Sequence, residues 1–364
     1  MPLSCSSVTE ETPRCPVDQV EHTSLFRHAD VSRALLDPAT YSSAVSAHLA
    51  VPSGIDPPEH TDFRRIIDRY FAPDRMAALE PKLRAIAVEM LSGLPADGEV
   101  EFVSQLAESF ALRSQCAFLD WPVDLHEPLR HWTRRNRVAT QSKNRTAMAE
   151  VAFEFDRYIR EVLTARRNRN ESDVVSELLR ETIRGRPLTD EEIVSILRNW
   201  TVGELATIAA CVGILAHFVA AAIPLQTHLR MNPGQLPAAI DEILRIHAPL
   251  LSSRRVTTAP LEFGGRTLAA GERVSLNWAS ANRDERVFDN PLEFQIDRDP
   301  RMNLLYGAGI HVCPGAPLAR LELRVLMEEL LACAELAPAS GRQPIEAIYP
   351  ASGFASCPLA LRKR

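Results

Sequence analysis

The run Tyr306-Gly307-Ala308-Gly309-Ile310-His311-Val312-Cys313-Pro314-Gly315-Ala316-Pro317-Leu318-Ala319-Arg320 governs how the rest of the chain is read. Gly307, Gly309 and Gly315 let the backbone bend tightly and approach something flat or bulky. Leu318, Leu321 and Val325 then recur at helical spacing, which puts Cys313 just ahead of a helix N-terminus. Unpaired N–H groups and the helix dipole at that point favour a thiolate over a thiol. Such a thiolate serves as a metal ligand or a nucleophile; the other reading of the loop is a buried structural cysteine. Zinc is disfavoured, because His311 and Cys313 are two ligands and no second pair stands at finger-like spacing.

Outward from the loop the pattern is mostly helical. Apolar spacing predicts helices over 29–36, from residue 61, near 77–93, 100–119, 124–140, 146–169 and 172–184, and over 236–247 and 316–334. Thr189-Asp190-Glu191-Glu192 is a capping box that opens some thirty further helical residues. A helix that long with apolar residues on several faces has to cross the middle of the protein. Residues 254–282 instead show β-branched alternation and paired glycines, the marks of short strands and hairpins. The expected fold class is therefore mainly α with a small β-rich subregion. With no repeat and no pooled linker, a single domain over 25–364 is expected, after a loose polar tail over 1–24.

Composition narrows the function. Of 364 residues, 41 are Lys or Arg and 47 Asp or Glu, a net charge of −6 that argues against a nucleic-acid binder. A hydrophobic share of 46% with 24% charged residues excludes a wholly disordered chain. The weakly polar stretch 205–223 contains His217 and runs into Pro224, so a buried helix is expected there and no membrane span. The start of the sequence carries no basic and apolar leader, and seven irregularly spaced cysteines suggest reduced thiols, so a cytoplasmic protein is expected.

The cysteine loop resembles the haem-binding signature of the cytochrome P450 family, with Tyr306 where the family has phenylalanine and agreement at the remaining positions. That resemblance implies haem b (iron protoporphyrin IX) between the long helix and the loop, with Cys313 as the proximal thiolate ligand of the iron. It also implies His311 as a propionate partner, and Gly315 and Gly203 as positions lying against the cofactor. Asp56-Pro57-Pro58-Glu59-His60-Thr61-Asp62-Phe63-Arg64 resembles the family's DPPEHxxxR segment, with His60 and Arg64 one helical turn apart as further haem partners. Arg255 aligns with a propionate-binding strand arginine, although Arg254 stands beside it. Glu242-Ile243-Leu244-Arg245 fits the ExxR helix, and Arg298 resembles the third member of that structural network. Each of these alone also reads as an ordinary surface pair; what favours the resemblance is that they occur together and in this order.

The long helix departs from the family. Where an acid and an alcohol usually help deliver protons, Val202-Gly203-Glu204-Leu205-Ala206-Thr207 has leucine and alanine. Glu204, Ala206 and Thr207 are the candidate catalytic positions, and the alternative for Glu204 is a side chain turned away into solvent or a salt bridge. Three mechanisms stay open: Glu204 with ordered water, a substrate supplying its own hydroxyl, or peroxide-driven or non-oxygenating chemistry. Arg198, Asn199, Trp200 and Thr201 either face the pocket or pack under neighbouring helices. Leu250, Leu251 and Phe354, with Glu204 and Ala206, are the expected pocket residues. The first helix and strands of the family look shortened, and the connection between the helices near 124–140 and 146–169 is short.

By resemblance the leading function is a soluble bacterial monooxygenase. It would insert one oxygen atom from dioxygen into a small organic substrate, with electrons from a separate ferredoxin or flavodoxin and reductase. A haem-thiolate peroxygenase or non-oxygenating enzyme, and a non-catalytic haem protein that binds ligand, are the alternatives.

Overall fold

The computed structural model describes residues 23–46, 48–167, 171–349 and 351–364. Its first strand, β1 (Thr23–Leu25), is buried, so Thr23 and Ser24 belong to a sheet and not to the expected tail. The remainder of that tail lies outside the described residues. Helix α1 (His28–Leu36) ends at Asp37, whose carboxylate accepts the Thr40 N–H, and β2 (Tyr41–Ser42) follows. Next come α2 (Glu59–Ile67) and α3 (Pro73–Ser92), the latter opened by a proline in its first turn, where no N–H is needed.

The helix expected over 100–119 starts later. Asp97–Glu101 is β3, a π-helical turn covers Val103–Ala107, and α4 runs over Glu108–Leu119. Pairing with the C-terminal strand overrides the local helical pattern there. Only Lys143 and Asn144 separate α5 (His126–Ser142) from α6 (Arg145–Arg167). Helix α7 (Val174–Arg180) is capped by Asp173, which accepts the Ser176 N–H at 2.8 Å. It stops short of residue 184 because β4 (Thr182–Ile183) turns through Arg184 and Gly185, both at positive φ, onto β5 (Arg186–Pro187).

The capping box forms: the Glu192 N–H donates to the Thr189 hydroxyl at 3.2 Å, and the Thr189 N–H to the Glu192 carboxylate at 2.8 Å. It opens α8 (Asp190–Ala220), which packs against α4, α6 and several later elements and runs through the main hydrophobic cluster. Among the described helices α8 alone is long and apolar enough to cross a membrane, yet 56% of its most apolar window is buried inside the protein. Burying each of Leu205, Ile208, Val212 and Leu215 contributes roughly 1.5–3 kcal/mol.

Helices α9 (Ile223–Met231) and α10 (Leu236–His247) lead into β6 (Ser252–Thr257), the hairpin β7 (Leu261–Phe263) and β8 (Arg266–Leu268), β9 (Arg273–Asn277) and the short α11 (Trp278–Ala281). After the cysteine loop, α12 (Ala316–Cys333) packs on α3, α8 and α10. The strands β10 (Ala334–Pro338), β11 (Ile345–Glu346), β12 (Phe354–Ser356) and β13 (Pro358–Lys363) end the chain. One sheet has the order β1-β9-β6-β2, with β1 parallel to β9 and the other pairs antiparallel; β10-β13-β3 forms a second. The architecture is mainly helical with small sheets.

Candidate active site

Two glycines set the shape of the cysteine loop. Gly307 and Gly309 both lie at positive φ, and a Cβ on Gly309 would sit 2.5 Å from the Leu35 carbonyl oxygen. The loop closes when the Cys313 N–H donates to the Tyr306 carbonyl at 2.9 Å. Tyr306, where the family has phenylalanine, carries the Arg320 guanidinium over its ring at 4.4 Å, and Arg320 in turn pairs with Asp241. The Cys313 sulfur receives the N–H groups of Gly315 and Ala316, which favour a thiolate, as does the charge of Arg64. Burial outweighs all of them and pushes the thiol up. Cys313 is exposed as a residue, and its sulfur meets the backbone N–H groups expected at a helix N-terminus.

Beside the loop lies a cluster of buried cationic and imidazole groups that, among the described residues, no carboxylate hydrogen-bonds. Arg255 is 8% exposed, and its guanidinium donates to the carbonyl of its own neighbour, Arg254. Arg254 is exposed, so Arg255 is the inward member of the pair. Burial lowers the Arg255 pKa, with Asp56 opposing from a distance. His60 is 2% exposed, and among the described residues neither of its ring nitrogens has a partner. Its ring packs 4.2 Å from that of His311, whose Nε2 also lacks a hydrogen-bond partner and lies 3.9 Å from Asp56. Burial, then the neighbouring His60 and Arg255, push His311 down to about 4. Arg64 does something different. It donates to the carbonyls of Val312 at 2.6 Å and Ile310 at 3.3 Å, and pairs with Asp68 at 2.9 Å, so it braces the cysteine loop.

The ExxR residues form a closed network behind the loop. Arg245 pairs with both oxygens of Glu242, at 2.7 and 2.9 Å, and donates to the carbonyls of Asn282 and Pro291. Arg298 adds a bond to Glu242 at 2.9 Å and one to the Asp289 carbonyl. Phe288 lies under the Arg245 guanidinium at 4.8 Å.

On α8, Gly203 has nothing within 4 Å of a would-be Cβ, and Val202 and Ala206 beside it are exposed. Spacing i,i+3 sets Gly203 and Ala206 on one open face of the helix. That face joins the cysteine loop through aromatic packing: Phe71 reaches within 3.8 Å of the would-be Cβ of Gly315 and stacks 5.3 Å from Trp200. Thr207 is half-buried. The polar run upstream packs under its neighbours: Arg198 pairs with Asp156 at 2.7 Å, Asn199 donates to the Val51 carbonyl, and Trp200 sits among Tyr70, Phe71 and Phe118. Phe354 meets α8 at Gly213 and stacks on His217 at 4.7 Å, well beyond Gly203 along the helix. Leu250 is 48% exposed and Leu251 half-buried, both in the link from α10 to β6.

A cytochrome P450 family profile matches residues 224–358. The cyclomarin C epoxidase CymV of Salinispora arenicola is 32% identical over 328 residues, covering 84% of this chain and 82% of that protein. The chain belongs to the cytochrome P450 family. Another P450 relative, the erythromycin C-12 hydroxylase of Saccharopolyspora erythraea, is 31% identical and covers 85% of this chain and 81% of its own. The open form of P450 EryK from S. erythraea superposes with a TM-score of 0.86 at 27% identity, over 94% of this chain and 91% of that one. CYP109E1 from Bacillus megaterium, solved with testosterone, gives 0.83 at 25% identity, over 93% and 92%.

P450 membership brings a haem-thiolate cofactor, and the residues present fit one. A buried guanidinium and two imidazoles with ring nitrogens left unbonded are what two propionate carboxylates would satisfy. Sequence reasoning missed three residues of this region. Asp56 faces the cluster while accepting from the Ser42 hydroxyl and the Ser43 N–H. Gln115 on α4 and Glu322 on α12 are buried next to Glu204. Glu322 left a trace in the sequence: it falls four residues after Leu318 and three before Val325, a carboxyl on an otherwise apolar stripe.

Proposed function

We propose that this P450 is a bacterial monooxygenase that inserts one oxygen atom from dioxygen into a small organic substrate, drawing electrons from a separate ferredoxin or flavodoxin in the cytoplasm. The observation that carries the reading is the buried cluster of Arg255, His60 and His311 beside the Cys313 loop, none of them hydrogen-bonded to a carboxylate among the described residues. Cys313 would bind the haem iron; Arg255, His60 and His311 would hold its propionates; Arg64 would keep the loop rigid. When bound, a haem-thiolate centre supplies the oxygen-activating redox chemistry. Gly203 and Ala206 leave the face of α8 bare, so a flat group and a substrate can lie close against it. Leu250, Leu251 and Phe354 would supply apolar pocket wall, and Thr207 a hydroxyl at its edge. Relatives named as an epoxidase and a hydroxylase support oxygen insertion as the reaction type.

A haem-thiolate peroxygenase is the second reading, favoured by Leu205 and Ala206 in place of the acid and alcohol. The two part in one experiment. With reduced ferredoxin, reductase and isotopically labelled dioxygen, an alkene probe such as styrene is expected to gain one labelled oxygen atom. Product formed with hydrogen peroxide but never with dioxygen and reductant would overturn the first reading in favour of the second.

Arg255 gives a test of the cofactor assignment. Arg255→Leu removes a buried charge whose hydrogen bond to a carboxylate contributes about 1.5–3 kcal/mol, so haem should leave roughly 10–100-fold faster. Transfer of hemin to a scavenging apoprotein measures this. The haem-free variant should melt no lower than the parent, because an unpaired buried guanidinium is itself a cost.

A further inference from the structure

Three polar residues of α8, an otherwise apolar helix, spend their side chains on one stretch of backbone between β2 and α2. Buried Ser195 donates its hydroxyl to the Leu49 carbonyl at 2.9 Å and accepts the Val51 N–H at 2.9 Å. Arg198 brings a second donor to the Leu49 carbonyl at 2.8 Å, which fills both lone pairs of that oxygen. Asn199 donates to the Val51 carbonyl at 3.1 Å. The other terminal nitrogen of Arg198 bonds both oxygens of Asp156, at 2.7 and 2.9 Å, so α6 is tied to the same point. The base of the stretch is fixed too, because Asp56 accepts the Ser42 hydroxyl and the Ser43 N–H. Val51 is buried in the main core and Ala50 half-buried, while Leu49 is exposed.

Helical spacing relates this clamp to the open face of α8. Ser195, Asn199, Val202 and Ala206 follow one another at four, three and four residues, so they lie along one stripe, with Gly203 beside it. Residues 49–51 therefore close the N-terminal end of the face that Gly203 and Ala206 leave bare. Asn199 and Gly203 are four residues apart, about 6 Å along the helix axis. We propose that Ser195, Arg198 and Asn199 are positioning residues that hold 49–51 as a fixed end wall of the substrate pocket, and that Leu49 on this wall sets the length of ligand admitted. The inference rests on the reading that substrate lies against the bare face of α8, and it narrows the substrate class. With Leu49 and Val202 as the exposed side chains at that end, the site takes compact apolar molecules that reach no further than about one helical turn beyond Gly203.

The wall is fixed because it has nothing else to bond to. Residues 49–51 belong to no strand, so α8 side chains stand in for the ladder that would otherwise satisfy the Leu49 carbonyl and both backbone groups of Val51. Lifting the stretch off α8 would strand all three, the costly state for a buried donor or acceptor. Arg198 cannot be replaced by lysine in this role, since one ammonium on a flexible stem does not reach the Leu49 carbonyl and both oxygens of Asp156 as the planar guanidinium does.

Titration of the full haem-loaded protein with imidazole, 4-phenylimidazole and 4-(4-biphenylyl)imidazole, read from the haem absorption, tests this without turnover. The parent should bind the biphenyl probe about tenfold or more weakly than the phenyl one. Leu49→Ala should recover that loss while the affinity for imidazole stays put. Arg198→Met should recover part of it, and Arg198→Lys should resemble Arg198→Met. Leu49→Trp should extend the exclusion to 4-phenylimidazole. A ratio of biphenyl to imidazole affinity that is the same in parent and Leu49→Ala overturns the proposal, as does a change in imidazole affinity that tracks the other two probes. Should a variant fail to fold or a probe fail to bind, amide hydrogen exchange of the parent decides. The Val51 N–H should exchange as slowly as the interior of α8, and fast exchange there overturns the clamp. A parent that ranks the probes as expected yet leaves styrene untouched overturns the monooxygenase reading and keeps the wall; one that oxidises styrene but binds all three alike overturns the wall alone.

Discussion

Cys313→Ser yields a chain that folds, takes up haem weakly and lacks the thiolate-ligated absorption spectrum. Serine keeps an acceptor for the N–H groups of Gly315 and Ala316, and the loop is shaped elsewhere, by Gly307, Gly309 and the bond from the residue 313 N–H to the Tyr306 carbonyl. Stability of the haem-free variant should therefore change by no more than about 1 kcal/mol. The hydroxyl is a far poorer anion than the thiol, so the bond to iron and its electron donation go together. Changes beside a metal ligand cost roughly 10–100-fold in affinity or activity, and loss of the ligand itself should exceed that. Hemin titration with melting curves checks both halves. A variant that retains the parent's spectrum would remove Cys313 from the cofactor site.

The loop was legible because its glycines, cysteine and following helix obey local rules that need no tertiary information. The long helix α8 was legible for the same reason, since its capping box and apolar period agree, and α10 was legible from its apolar period. Where local pattern falls short, a distant partner is the cause. Val100 and Glu101 fall inside the expected helix and instead end β3, because Pro358–Lys363, far away in sequence, offers it a ladder. Arg64 belongs to the expected segment, and its bonds to two loop carbonyls are visible only once the folded chain brings them near. Cys313 sits where a helix terminus favours charge, which the local sequence alone makes visible.

Buried polar groups in this P450 fall into two kinds. Glu242, Arg245 and Arg298 satisfy one another and the carbonyls of Asn282, Pro291 and Asp289, as a structural network must. Arg255, His60, His311 and Glu322 do not close on themselves. They are held in place by packing, and the one carboxylate near them, Asp56, spends its hydrogen bonds on Ser42 and Ser43. Incomplete sets of that kind cost stability, and their concentration around the cysteine loop marks where a charged cofactor would complete them.

The closed network makes the opposite prediction: Arg245→Leu should damage folding and leave the spectrum of the surviving folded protein unaltered. Arg245 has no exposed surface, and its loss strands the Glu242 carboxylate with Arg298 alone and frees the carbonyls of Asn282 and Pro291. Breaking a buried ion pair from one side costs about 3–5 kcal/mol, a large part of the total stability of a domain. Soluble yield should collapse and denaturant midpoints fall, while any haem-loaded fraction shows the parent's absorption, since the Arg245 hydrogen bonds go to Glu242, Asn282 and Pro291 and to neither the Cys313 loop nor the Arg255 cluster. Arg245→Lys should recover little, because one ammonium cannot span two carboxylate oxygens and two separate carbonyls as the planar guanidinium does. Adding Glu242→Leu to Arg245→Leu removes the stranded carboxylate as well, and the double variant should be more stable than the sum of the single losses predicts. Strict additivity in that cycle would mean that the two residues contribute separately, and that the network is not a unit.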